Sequence, residues 1–190
     1  MVHKFNPNSK KKLDDEWRRE NLPPVETLKK LGLETSDSVA DIGCGIGYFT
    51  IPAARLIGNN NAYALDTSPE MLEEVELRSN AAGLNNIKIV KTEELDLIIP
   101  DESVSFGLMV NVIHEIADKN QFLKESSRII RPGGKLVIID WEKGETEMGP
   151  PVDHRIGTEE LTAMLKEIDF ECQETMKFTE NFYGLVFSKK

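Results

Sequence analysis

The sequence predicts an α/β fold: a doubly wound, mostly parallel seven-stranded sheet with an antiparallel edge strand. Three observations predict it. Short apolar runs suited to buried strands alternate with helical stretches over most of the 190 residues. A glycine-rich turn, Gly43-Cys44-Gly45-Ile46-Gly47, follows the first of those runs. Near the end of the chain two apolar runs are separated by only a few residues, a spacing suited to an antiparallel pair.

The elements follow in order. Residues 23–31 are expected to be helical and to stop at Gly32, a residue suited to a helix C-cap. Residues 39–42, Val-Ala-Asp-Ile, form the first strand. A helix is expected over 48–57, with Pro52 tolerated because the first helical N–H groups lack partners. Residues 62–66 form the second strand. Ser68 then caps a helix with Pro69 at its first position, ending near Ala82-Gly83. Strands are expected over 87–90 and 104–110. The helix over 119–131 is stopped by Pro132-Gly133-Gly134, and a fifth strand covers 135–140. A helix over 158–168 and strands over 171–178 and 182–187 complete the set. Residues 1–22 lie ahead of every strand and are expected to form an arm that closes as a lid on a domain spanning 23–190.

The glycine turn restricts the class of ligand. Glycines at alternate positions allow a sharp turn and leave room for close approach to the main chain. A dinucleotide site prefers G-x-G-x-x-G, with the third glycine packing helix on strand. Tyr48 stands at that place here, or Thr50 if the pattern starts at Gly45. A nicotinamide-type oxidoreductase is therefore the weaker alternative. Asp66 ends the second strand about 20 residues after the turn, the usual distance for a carboxylate that accepts hydrogen bonds from ribose hydroxyls. The alternative role for Asp66 is a cap for the following helix.

Asp41, Gly43, Gly45 and Gly47 together match the D-x-G-x-G-x-G loop, and the chain resembles class I S-adenosylmethionine-dependent methyltransferases. The segment Arg131-Pro132-Gly133-Gly134-Lys135-Leu136-Val137-Ile138 is similar to a second segment of that superfamily, R-x-L-K-P-G-G-x-L-x-I. The likeness runs from about Leu28 to Ile139 and points to the small-molecule branch, which includes the C-methyltransferases of ubiquinone and menaquinone biosynthesis. It implies a Rossmann-like methyltransferase fold and S-adenosylmethionine as cofactor, bound by Asp41, Gly43, Cys44, Gly45, Gly47, Asp66, Thr67, Met71, Thr92, Glu93 and Asn111. Thr92 stands where relatives commonly have an aspartate against the adenine amine, so the adenine contact is divided among Thr92, Glu93 and main-chain groups. Gly107 also stands where acidic residues are common. A non-catalytic S-adenosylmethionine-binding module is thus a second alternative.

The resemblance places the methyl acceptor among three segments: 111–115, 140–155 and the arm over about 5–21. His114 is the candidate general base because an imidazole titrates near neutrality; its structural alternative is to cap a helix or orient a loop. Trp17 and Trp141 are candidates for an apolar wall. No metal is expected: Asn111 and Asp140 occupy the ends of strands four and five, but no second ligand pair accompanies them.

Composition narrows the partners. The net charge is −10, and the basic residues of the arm, Lys10-Lys11-Lys12 and Arg18-Arg19, are expected to be solvated. Nucleic acid is therefore not the expected substrate. No apolar run approaches the roughly 18 residues of a membrane span. The first twelve residues lack the apolar core of a secretory signal, and two cysteines form no disulfide framework. The expectation is a cytoplasmic monomer or homodimer acting on a small-molecule methyl acceptor.

Overall fold

A computed structural model describes residues 13–144 and 149–190. Its sheet comprises β1 (Val39–Ile42), β2 (Ala62–Asp66), β3 (Ile87–Lys91), β4 (Val104–Val110), β5 (Ile130–Trp141), β6 (Phe170–Lys177) and β7 (Phe182–Lys189). Their spatial order is β3-β2-β1-β4-β5-β7-β6. The first five strands are mutually parallel, while β7 runs antiparallel to both β5 and β6. The reversed strand thus stands one place in from the edge, with β6 outside it. The order reverses between β1 and β4, which opens a crevice beyond the carboxyl ends of those strands.

Among the described residues six α-helices surround the sheet: α1 (Glu16–Asn21), α2 (Pro24–Lys30), α3 (Thr50–Leu56), α4 (Pro69–Ala81), α5 (Lys119–Ile129) and α6 (Thr158–Lys166). One apolar layer joins α5 and α6 to one sheet face through Phe122, Leu123, Leu161 and Leu165. Another joins α2 and α3 to the opposite face through Leu28, Leu31, Ala53 and Ala54. All seven residues of β4 are buried, as a strand covered on both faces requires.

The expected boundaries fall within two residues of those observed except at the start of β5, five residues early, and the differences at two helix ends have physical reasons. The helix after the glycine turn begins at Thr50 rather than 48. Gly43, Gly45 and Gly47 all have positive φ, so the chain is still turning through residue 47. The helix expected to reach residue 131 ends at Ile129. Lys189 on β7 caps it, donating from Nζ to the carbonyls of Ser127 and Ile130 at 2.8 and 2.7 Å. Strand β5 consequently starts at Ile130, paired with Val104, and bulges before resuming register at Lys135 against Phe106.

Gly134 lies in that bulge. A Cβ there would come within 2.9 Å of the carbonyl oxygens of Arg131 and Ser105, neither of which is a movable side-chain end. We expect Gly134→Ala to cost on the order of 1–3 kcal/mol, read as a lower denaturation midpoint with an unchanged m-value.

Candidate active site

A cavity of about 830 Å³ lies at the carboxyl ends of β1, β2, β4 and β5 and beneath α1. Ten of the residues expected at the site line it: Gly43, Cys44, Gly45, Asp66, Thr67, Met71, Thr92, Glu93, Asn111 and His114. Asp41 and Gly47 do not. Gly47 instead sits against α4, where a Cβ would meet Val75 Cγ2 at 3.2 Å. Asp41 is buried under the turn and accepts a 2.5 Å hydrogen bond from Thr50 Oγ1.

The turn is held open by its own geometry. Gly43 has φ +72°, and a Cβ there would fall 2.5 Å from Val112 Cγ2. A side chain at this point would require both left-handed backbone and space that Val112 already fills. Asp66 ties the turn to β2: its Oδ2 accepts from Gly45 N at 2.8 Å and its Oδ1 from Ser68 N at 2.9 Å. Ser68 itself is the cap of α4, accepting from Met71 N. Burial raises the Asp66 carboxyl above its usual range, opposed by the N–H groups of Ser68, Gly45 and Thr67. Carboxylate oxygens have further lone pairs, so Asp66 can also accept from ligand hydroxyls. Thr92 is buried and donates its N–H to the Asp66 carbonyl at 2.9 Å, fixing the third loop to the second. Glu93 opens a turn, its N–H reaching the Asp96 carbonyl at 3.0 Å.

Asn111, at the end of β4, has φ +58°, a conformation asparagine tolerates better than most residues. Its N–H donates to the Ile139 carbonyl at 2.8 Å, while its buried Oδ1 has no partner among the described residues. His114 follows in a single 3₁₀ turn, Ile113–Glu115. Its Nδ1 lies 2.7 Å from Asp140 Oδ1, and its Nε2 lies 3.7 Å from Glu115 Oε1. Asp140 is 1% exposed; the same Oδ1 accepts from Trp141 N at 2.7 Å, and Oδ2 has no described partner. A carboxylate at Nδ1 favours the tautomer that leaves the Nε2 lone pair available.

The far wall is aromatic. Trp17 and Trp141 are nearly parallel, with centroids 6.1 Å apart, and Phe182 packs 4.5 Å from Trp141. Arg155 fixes the segment after β5 by donating to the carbonyls of Pro150, Glu142 and Gly144, with its guanidinium 5.6 Å from the Trp141 ring. The described parts of the three expected acceptor segments thus border one cavity; residues 5–12 and 145–148 lie outside the described residues.

The sequence reading missed α1 and its Arg18. A usable signal was there: Asp15 followed by an acidic first turn and a basic last turn is the pattern of a capped helix. Arg19 is exposed and paired with Asp14 at 2.8 Å, but Arg18 turns inward, contrary to the expectation of a solvated basic arm. Its guanidinium packs 5.0 Å from the Tyr48 ring, and its Nε is buried without a partner among the described residues. Burial lowers its pKa, against the charges of Tyr48 and Asp41.

This geometry is that of an α/β methyltransferase, with a glycine turn and an acidic second strand at the sheet's carboxyl rim. Residues 40–138 match the family described as Methyltransferase domain, and the chain belongs to that family. A S-adenosylmethionine-dependent methyltransferase structure from Aquifex aeolicus is 31% identical, with a TM-score of 0.92, covering 98% of this chain and 100% of that one. The demethylmenaquinone methyltransferase of Listeria welshimeri is 29% identical over 130 residues, covering 68% of this chain and 52% of its own. That of a Geobacillus strain is 27% identical over 116 residues, covering 60% of this chain and 50% of its own. The chain therefore spans about half the length of these curated relatives. It has the Rossmann-like fold of S-adenosylmethionine-dependent methyltransferases. Arg18 Nε and Asn111 Oδ1, buried without partners among the described residues, and Gly43 and Gly45, which add no side chain to the cavity, fit S-adenosylmethionine.

Asp41 gives the site a pH signature. Burial and the nearby Asp66 charge push its carboxyl up to about 6, despite the Thr50 hydrogen bond and the Arg18 charge. A raised folded-state pKa means that its contribution to stability is fully present below about pH 4 and lost as pH rises through about 6. Asp41→Asn retains an acceptor for Thr50 and removes the buried charge. Thermal melts of cofactor-free protein should show the variant gaining on the parent between about pH 4 and pH 6, and more stable at pH 7.5.

Proposed function

We propose that the chain transfers the cofactor's methyl group to a small-molecule acceptor, with His114 as general base. The arrangement of His114, its Nδ1 held by a buried Asp140 and its ring lining the same cavity as the glycine turn, carries this reading. The names of the curated relatives favour a hydroquinone-like acceptor, and the aromatic wall of Trp17, Trp141 and Phe182 suits a planar ring.

S-adenosylmethionine supplies an electrophilic methyl carbon on a sulfonium, which an acceptor attacks in line. Positioning and exclusion of water are the protein's main contributions. Asp66 accepts from the ribose hydroxyls, with Thr67 and Met71 beside the sugar and Thr92 and Glu93 on the adenine side. Gly43 and Gly45 bring main chain to the ligand, and Cys44 lines the turn as an inert thiol, its pKa raised well above the usual value by burial. Asn111 borders the transfer point. His114 Nε2 takes the acceptor's proton as its nucleophile forms, and Asp140 stabilises the resulting imidazolium. Helix α1 covers the cavity as a lid, held by Asp14 to Arg78 of α4 at 2.8 Å, with Leu13 above Gly45.

Methyl release measured with a panel of hydroquinones, phenols and amines tests the reading; no transfer to any of them would count against it. Asp66→Ala should weaken S-adenosylhomocysteine binding at least about tenfold, the loss of hydrogen bonds of about 1.5–3 kcal/mol, as read by calorimetric titration. His114→Gln should retain that affinity and lower methyl transfer by about 10²- to 10⁴-fold. Removing residues 1–21 should leave the sheet folded while methyl transfer falls steeply.

A further inference from the structure

A second hollow, of about 640 Å³, lies outside the cavity, between α1, α3 and α4. Tyr48 lines both and stands between them. The charge of this groove runs against that of the chain. The protein has a net charge of −10, yet the described groove lining holds Arg19, Arg55 and Arg78, with Asp14 as their one carboxylate. Each arginine comes from the last turn of a different helix, where the helix dipole favours a cation. Packing the three helices together then brings the cations to one groove.

Asp14 shows how the groove takes an anion. Its Oδ1 accepts from Arg19 Nε and its Oδ2 from Arg78 Nη1, each at 2.8 Å, so one carboxylate bridges α1 and α4. Arg78 Nε is taken by Glu74 at 2.9 Å. Donors are left over. Both terminal nitrogens of Arg19, Nη2 of Arg78 and the whole guanidinium of Arg55 have no partner among the described residues. Pro23, Pro24, Pro52, Ala81 and Ala82 complete the walls, and their side chains offer no acceptor to compete for those donors.

A guanidinium fork matches the oxygens of a phosphate and can hold two of them at once. A ligand that engages the donors left on three forks needs several acceptor oxygens, as a diphosphate has. We propose that the groove between α1, α3 and α4 binds a small phosphate-bearing anion, a diphosphate being the simplest, and that this anion fastens α1 to the body of the domain. Arg55 is its principal contact, and Arg19 and Arg78 share it without giving up Asp14.

The anion lies on the outer side of Tyr48 and touches neither cofactor nor acceptor. Its influence on turnover rests on the lid role given to α1. Trp17 of α1 stacks on Trp141 in the cavity wall, so a filled groove steadies that wall from outside and couples the two sites.

Calorimetric titration with inorganic pyrophosphate, at an ionic strength held constant with sodium chloride, reads the site directly. Saturable binding at one site per chain is expected. Arg55→Gln should weaken it at least about tenfold. The same variant should keep the parent's cofactor-free melting temperature and its affinity for S-adenosylhomocysteine, because Arg55 has no described partner to lose. Arg55→Lys should recover part of the pyrophosphate affinity, as a point charge without the fork. Hydrogen exchange across Glu16–Asn21 should slow with pyrophosphate in the parent and not in Arg55→Gln. Absence of saturable binding, or equal binding by Arg55→Gln and the parent, would overturn the proposal, as would binding that leaves exchange across α1 unchanged. Retention by phosphatidylglycerol vesicles without any binding of pyrophosphate would overturn it too, and make the groove a membrane contact. None of these measurements uses methyl transfer, so they stand or fall apart from the base and the acceptor.

Discussion

The Asp66 carboxylate, bonded to the Gly45 N–H at 2.8 Å and the Ser68 N–H at 2.9 Å, is the constraint on which the rest of the site depends. It joins the turn after β1 to the start of α4, two segments that the parallel sheet only brings near each other. The turn can accept that bond because Gly45 has φ +52°, which presents its N–H toward β2. Gly43, at φ +72°, leaves the adjoining space to Val112 from the β4 side. Three loops from different strands are thereby fixed with very few side chains.

Electrostatics follow from that arrangement. Burial raises both the Asp41 and the Asp66 carboxyls, the Asp66 charge raises Asp41 further, and Arg18 reaches the same region from α1. Such a set is poorly satisfied by itself: the guanidinium Nε and the Asn111 Oδ1 remain without described partners. Buried polar groups are normally hydrogen-bonded, so these two atoms stand out in the lining of the cavity. The side of the cavity at the ends of β4 and β5 has a different character. There the polar groups are already organised, with one oxygen of Asp140 holding both the His114 ring and the Trp141 N–H. His114 and the aromatic wall consequently share one anchor.

Much of this was legible in the chain. Three strands, over residues 39–42, 62–66 and 104–110, follow from apolar runs bounded by turn residues, and the α4 start follows from Ser68-Pro69. The glycine turn and Asp66 are local signals, because φ-permissive residues and strand-end carboxylates are written at fixed spacing. The Pro132-Gly133-Gly134 stop was legible as a break, yet its form was not. Whether those residues end a helix or bulge a strand depends on Lys189, 60 residues away, capping the Ser127 and Ile130 carbonyls.

By itself, the sequence determined the α/β class, the seven strands, and a glycine-and-carboxylate ligand site, because periodicity, caps and backbone permissiveness are local properties. Only the tertiary structure decided which candidates meet. It sent Gly47 into packing against Val75 and Asp41 beneath the turn to Thr50, away from the cavity lining. It turned Arg18 inward while the adjacent Arg19 pairs outward with Asp14, since successive residues on a helix face different directions and only packing selects the buried one. It also set Asp140 against His114, a pairing across 26 positions that exists because β4 and β5 end side by side.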